Sequence, residues 1–259
     1  MEICTISSTN LNNHELLFRL CFPNSNLDGR YLEWLYFANP LGNVVGFDAM
    51  DGNTLAAHYA CIPTKIDGKL GLLSLNTATH PNYRSKGLYQ KLAEQTYEQW
   101  SAKFDFVVGV ANAQSAAGFI KRLGFNDLGR LNLRYGKLQR PALGNRTWTQ
   151  ADIEWRSKSP RHQLEKRILN NGMVELSMRP KNFPFKIKSL VSIAGKEIRE
   201  NSGHTDIRRG FTVDWINGPS SRLSLPEKLK PSPLVMIYKP LKCDDLEISS
   251  WSFPDFDAF

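Results

Sequence analysis

The sequence predicts an α/β (α+β) fold in two parts. Strand-like and helix-like segments alternate along residues 1–138, Asp-Gly turns join neighbouring strands, and one strand–turn–helix unit opens its helix on a glycine. The 259 residues exceed one typical domain, and 41% hydrophobic with 22% charged residues is the balance of a globular chain that can build real cores.

Met1 to Ser7 reads as a short strand. Asn13 to Cys21 follows as a helix, because Leu16, Leu17, Leu20 and Cys21 recur at helical spacing. A second helix covers Gly29 to Phe37 and stops at the turn cluster Asn39-Pro40-Leu41-Gly42. Val44 to Met50 and Leu55 to Ile62 are strands joined through Asp51-Gly52-Asn53, and Asp67-Gly68 makes a second hairpin into Leu70 to Thr79. Gly87 to Phe104 is the strongest helix, with Leu88, Leu92, Ala93, Tyr97, Trp100 and Phe104 at three- and four-residue steps. Phe106 to Val110 is a continuous apolar run, as a strand buried on both faces should be. Ser115 to Leu123 is a short helix ended by Gly124, suited to a left-handed cap, and Leu128 to Leu138 alternates like one outer strand.

Arg140-Pro141-Ala142-Leu143-Gly144-Asn145 is loop-like, so the expected domains are residues 1–139 and 140–259. In the second, Arg161 to Asn170 and Leu190 to Glu200 read as helices, and Val174 to Met178, Arg209 to Ile216 and Leu234 to Tyr238 as strands. That order is compatible with a weakened copy of the first half.

Bulk properties narrow the function. Cys4, Cys21, Cys61 and Cys243 form no CxxC pair, so neither a disulfide framework nor a metal site is expected. No apolar run nears the roughly 20 residues of a membrane helix, and the start carries no secretion signal. No membrane partner and a cytoplasmic location are expected. Net charge is +8, with 13 basic and 11 acidic residues in 1–139 and 20 and 14 in 140–259. The cations are scattered, which argues against nucleic acid and for a phosphorylated small-molecule ligand.

One segment carries chemistry. Leu73 to Leu92 reads as a strand, a Pro81-containing turn and a helix beginning at Gly87. The first amides of a helix lack intrahelical partners and lie at the positive end of its dipole, so they can bind a pyrophosphate. Gly87 keeps side chains away from the approaching phosphate, and Arg84 and Lys86 add positive charge. No GxxxxGK[ST] or GxGxxG occurs, which excludes a Walker loop and a dinucleotide fingerprint.

The run Thr77 to Leu92 resembles the acyl-coenzyme A binding motif [Q/R]-x-x-G-x-[G/A] of the GNAT (Gcn5-related N-acetyltransferase) superfamily. Arg84 and Gly87 match it, Tyr89 departs from the usual Gly or Ala, and Thr79-His80-Pro81 matches the turn that precedes it. Val107-Val108-Gly109-Val110-Ala111-Asn112 is similar to the family's fifth strand and following Asn, and Gly118 to Phe125 to its helix ending in Leu-Gly-Phe. The resemblance implies a central mixed, mostly antiparallel splayed sheet flanked by helices, with a second α/β half compatible with a degenerate GNAT-like copy. It implies that Thr77, Ala78 and Thr79 contact pantetheine, that Arg84, Ser85, Lys86, Gly87, Leu88 and Tyr89 hold pyrophosphate, and that Asn112 and Phe119 line the thiol end. Ile120 stands where family members commonly carry a Tyr that protonates the departing thiolate.

Candidate groups for the acceptor amine are Asn76, as an orienter of water, His58 and His80, with His204, Asp206, Asp255 and Asp257 as weaker ones. The second half, with Trp148, Trp155, Trp215 and Trp251 and its excess of cations, offers an aromatic and basic wall for a nucleotide-linked amino sugar. The layout resembles bacterial N-acyltransferases of dTDP- or UDP-linked amino sugars in surface polysaccharide biosynthesis. Acceptors of peptide, protein or other small amines, a FemX-like ligase using aminoacyl-tRNA, and a non-catalytic coenzyme A module stay open, as does a homo-oligomer.

Overall fold

The structure, a computed structural model, describes residues 1–25, 27–139, 146–169, 172–180, 183–195, 208–226, 234–242 and 246–255. In chain order the first part holds β1 (Glu2–Thr5), α1 (Leu11–Cys21), α2 (Gly29–Phe37), β2 (Val45–Asp51), β3 (Thr54–Ile66) and β4 (Lys69–Thr79). It continues with α3 (Leu88–Trp100), β5 (Phe106–Asn112), α4 (Ala113–Leu123), β6 (Asn126–Arg130) and β7 (Asn132–Lys137). Then come α5 (Gln150–Ser157), β8 (Glu165–Ile168), β9 (Val174–Met178), β10 (Ile187–Val191), β11 (Arg209–Ile216), β12 (Leu223–Ser224), β13 (Leu234–Pro240) and β14 (Ser250–Ser252).

The first sheet runs β1-β2-β3-β4-β5-β13-β6, antiparallel except where β4 meets β5. That parallel pair lasts only from Leu72 opposite Val107 to Ser74 opposite Gly109. Beyond it β4 keeps its partner β3 to Thr79 and β5 keeps β13 to Asn112, so the two strands diverge. The splayed, mostly antiparallel sheet flanked by helices is thus present. Side chains of α1 and α2 (Leu17, Phe18, Leu32, Leu35) bury one face of it, and those of α3 and α4 (Leu92, Tyr97, Phe119, Leu123) the other. Alternation along β2 explains the split: Phe47 and Ala49 point to α3 and α4, while Asp48 between them points to α1 and α2.

The second sheet runs β12-β7-β11-β10-β9-β8. It repeats the first. In each half two antiparallel hairpin steps lead to a parallel pair (β4 with β5, β10 with β11), and the second strand of that pair then borders a strand supplied by the other half. β7 enters the second sheet between β11 and β12, and β13 enters the first between β5 and β6. The expected boundary at residue 139 therefore does not separate the sheets, because each half lends its last long strand to its partner.

The second splay is filled from within. β10 and β11 pair only at Ile187 opposite Phe211, and β14 then adds to β11, with Trp215 opposite Trp251. The Ser252 and Ser189 hydroxyls, on β14 and β10, lie 3.0 Å apart, and Asp255 accepts from the Trp148 indole at 3.0 Å. Beside this plug a cavity of about 190 Å³ remains, lined by Arg146, Arg222, Asp214 and Asp255 among others.

Several local expectations change. Leu128 to Leu138 is not one strand but β6 and β7 in different sheets, broken at Leu131, whose amide donates to Leu234 at 2.9 Å. The helix expected over Arg161 to Asn170 is an exposed edge strand, β8, whose polar run Glu165-Lys166-Arg167 suits a ladder beside β9 rather than a core-facing helix. The helix expected from Leu190 overlaps β10 as far as Val191, where pairing with β9 overrides local spacing; residues 196–200 lie outside the described residues. Trp148, Trp155, Trp215 and Trp251 form no open wall: all four are under 8% exposed, because the sheets need large apolar side chains to fill the space between them. Trp34 and Trp155 stack at 5.0 Å and each donates its indole N–H to the other's carbonyl, tying α2 to α5. No helix among the described residues is long and apolar enough to cross a membrane.

Candidate active site

The connection from β4 to α3 sits at the mouth of the first splay. His80 opens a 3-10 turn over Pro81–Tyr83, its Nδ1 accepting from the Asn82 amide at 3.2 Å. The Tyr83 hydroxyl donates to Asp51 at 2.7 Å, which pins the turn to the β2–β3 hairpin. Ser85 (φ 63) and Gly87 (φ 70) are both left-handed. Alternation of this kind turns successive amides into one concavity, the geometry of an anion nest. Gly87 caps α3 without any side-chain hydrogen bond to the first amides, so no cap side chain covers the amides of Leu88, Tyr89 and Gln90. A Cβ on Gly87 would meet no protein atom within 4 Å, so within the protein itself glycine serves the left-handed backbone conformation there.

Arg84, Ser85, Lys86 and Gly87 are exposed, as a phosphate cradle must be. Lys86 Nζ lies 4.8 Å from the centre of the Tyr83 ring. Burial raises the Cys21 thiol, and the Arg84 guanidinium, which hydrogen-bonds it, pulls the other way. The side chain of Tyr89 turns to α4: its ring meets Phe119 edge-on at 5.7 Å, and its hydroxyl lies where a Cβ on Gly118 would approach to 3.2 Å. Burial pushes that phenol up to about 12. The departure from a small residue at this position is thereby accommodated by Gly118.

The β4 edge that faced β5 has no strand partner beyond Ser74 among the described residues. Thr77 and Thr79 are half-buried there, Ala78 is buried opposite His58, and the Thr79 carbonyl accepts from Cys21 Sγ at 3.4 Å. Asn112 caps α4, its Oδ1 accepting from the Ser115 amide at 2.9 Å. Phe119 is a core residue at 6% exposure, closed in by Tyr89 and Phe125, so its place at a thiol end is not supported by its position.

Two of the three candidate polar groups meet. Asp48 and His58 are cross-strand partners on β2 and β3, and their side chains bond at 2.6 Å, His58 Nδ1 to Oδ1. His14 from α1 holds the other carboxylate oxygen through Nε2 at 2.8 Å. His58 Nε2 lies 3.0 Å from the Tyr36 hydroxyl on α2, and Asn76 Nδ2 donates to that hydroxyl at 3.2 Å. His80 stays apart in the exposed turn. Asp255 is buried in the second splay, whereas His204, Asp206 and Asp257 lie outside the described residues.

The electrostatics follow from burial. Burial alone would raise the Asp48 carboxyl, but His58 and His14 on its two oxygens hold it well below the usual carboxylate range. Burial, with His14 beside it, lowers His58 against the pull of Asp48, and burial raises the Tyr36 phenol. The ligand atoms of His14, Asp48 and His58 lie within 4.8 Å of one another. Two ligands on one tetrahedral zinc, each roughly 2.0 Å from it, would stand roughly 3.3 Å apart. The 2.6 and 2.8 Å separations are those of hydrogen bonds instead.

Tyr36, Asp48 and His14 escape the sequence reading. Tyr36 looks like one more aromatic residue of an apolar helix. Only Asp48 carries a signal, as a lone acid inside the apolar run Val44 to Met50, since a buried carboxylate requires partners.

No protein-family model and no curated protein sequence matches the chain. Among solved structures it is similar to an aminoglycoside 6'-N-acetyltransferase complexed with coenzyme A (14% identity, TM-score 0.42, covering 51% of this chain and 88% of that one). It is also similar to a GNAT family acetyltransferase from Brucella melitensis in complex with acetyl-CoA (20%, 0.41, 48% and 82%). A third is the ribosomal-protein-S18-alanine N-acetyltransferase from Escherichia coli (18%, 0.40, 54% and 84%). At these identities the likeness is one of fold: about half of this chain is similar to N-acetyltransferases.

Proposed function

We propose that the protein is an acyl-coenzyme A-dependent N-acyltransferase, passing the acyl group directly to the amine of a nucleotide-linked amino sugar. One observation carries the reading: the uncapped, nest-like start of α3 lies at the end of the splayed strand β4, on a single short connection. The amides of Leu88 to Gln90, with Arg84 and Lys86, suit a pyrophosphate, and the unpaired edge of β4 suits an amide-bearing arm that adds as a strand would. Bound there, acyl-coenzyme A supplies a thioester, which an uncharged amine can attack. The acceptor class rests on the excess of positive charge in residues 140–259, since the four buried tryptophans no longer support it.

The test is thiol release from acetyl- and longer acyl-coenzyme A with dTDP- and UDP-amino sugars, peptides and simple amines as acceptors. Turnover with the nucleotide-linked sugars is expected. Turnover on peptides alone removes the sugar from the proposal, and coenzyme A binding without turnover on any amine removes the enzyme.

A further inference from the structure

The line His14–Asp48–His58–Tyr36–Asn76 has a direction that chemistry dictates. An ionised carboxylate only accepts, so His14 Nε2–H and His58 Nδ1–H both donate to Asp48, at 2.8 and 2.6 Å. With its proton on Nδ1, neutral His58 leaves Nε2 as an acceptor. The Tyr36 hydroxyl, 3.0 Å away, must donate to it. The phenol oxygen is then free to accept, and Asn76 Nδ2 donates to it at 3.2 Å. Every bond points inward to the carboxylate, and the amide of Asn76 is committed with its nitrogen inside.

His14, Asp48, His58 and Tyr36 are all fully buried, and Asn76 is the first member to reach partial exposure. Asn76 also sits at φ 51, a left-handed residue inside a strand, where the β3–β4 register slips between His58 and Ala60. Such a conformation is unusual for a non-glycine residue inside a strand and persists where its surroundings support it. It lies two residues past Ser74, where β4 has just parted from β5.

We propose that this line fixes the Asn76 carbonyl oxygen toward the cleft as the hydrogen-bond acceptor for the attacking amine, resting on the acyltransfer reading above. Asn76 is the catalytic residue that touches the acceptor, and Tyr36, His58, Asp48 and His14 are positioning residues. In the step the amine nitrogen bonds the thioester carbon and the C–S bond breaks with its electron pair leaving on sulfur. The proton that nitrogen gives up passes to water, since an amide takes none. The groups facing His58 are Asp48 from β2, His14 and the Phe18 ring from α1, and Tyr36 from α2. Once His58 is protonated, both its nitrogens donate, Tyr36 must donate outward, and Asn76 must turn its oxygen inward. The cleft then meets an NH₂ group, and the amine loses its acceptor. Activity accordingly has an acid limb set by His58.

The experiment compares wild type with Tyr36→Phe and Asn76→Ala. Both variants should stay folded and keep coenzyme A affinity, with a lowered thermal midpoint, and lose tenfold or more in kcat, and Tyr36→Phe should lose the acid limb. A merely structural role would lower the midpoint and leave the pH profile of the remaining activity unchanged. Variants with kcat within twofold of wild type and an unchanged acid limb overturn the inference while leaving acyltransfer standing. Wild type that releases no thiol with any amine overturns both. A readout independent of turnover is the imidazole nitrogen-15 shift of His58. It should report the Nδ1–H tautomer at pH 7.5, and an Nε2–H tautomer or a cation there refutes the assigned direction.

Discussion

Gly87→Val isolates the cradle. Gly87 and Gly68 hold similar left-handed conformations, φ 70 and φ 79, and a Cβ on either meets nothing within 4 Å. Valine at each should therefore lose about 1–2 kcal/mol from backbone strain alone. Gly68 lies in the β3–β4 turn, at the end of β4 away from the splay. The two variants share a stability effect and differ only in the ligand they can affect. Valine at 87 relieves its strain by leaving the left-handed region, which breaks the run of amides into α3. Hydrogen bonds from amides to a charged group contribute about 1.5–3 kcal/mol each. Loss of one weakens binding roughly 10- to 150-fold. The assay is calorimetric titration with coenzyme A on both variants and wild type, with thermal midpoints measured in parallel. Gly87→Val binding within twofold of wild type, or Gly68→Val losing as much, would refute the assigned site.

Stability should fall on acidification through the buried line. Asp48 and His58 are both held below their ordinary pKa values, so the folded protein binds fewer protons than the unfolded chain. The contribution of His58 is complete above its ordinary value of 6.5 and declines as pH falls below it; that of Asp48 declines below 3.8. A thermal midpoint that stays flat from pH 7.5 to 5 contradicts this. The exchanged strands make a different demand: because β7 and β13 cross between the sheets, unfolding should be one cooperative transition and residues 1–139 alone should not fold. Trp155→Ala, which opens the indole pair across α2 and α5, should destabilise the whole chain by about 3–5 kcal/mol in chemical denaturation. Two separate transitions, one of them unmoved by the substitution, would contradict the interlocked arrangement.

The legible parts of the chain were those whose physics is local. The helix over Gly29–Phe37 and the strands Val174–Met178 and Arg209–Ile216 match their expected bounds, because caps, turns and periodicity lie within a few residues of each other. The strand–turn–helix unit of the proposed cradle was legible for the same reason: a strand, a Pro81 turn and Gly87 are contiguous in the chain. His58 and Asn76 could be named as polar residues on strands, but their connection could not. It runs through Tyr36, and the charge that sets its direction belongs to Asp48, held in turn by His14.

The tertiary structure decided everything that needs two distant segments to meet. β8 carries too few apolar residues for its local pattern to matter, and its ladder with β9 made it a strand. The tryptophans of the second half went inside because two sheets sharing strands enclose more apolar volume than either half suggests. The exchange of β7 and β13 leaves no local mark, since a strand's pattern records that one face is buried and not which sheet buries it. By itself the sequence determined a strand–turn–helix unit whose helix opens on Gly87; the buried line beside it, and the direction of its hydrogen bonds, came only from folding.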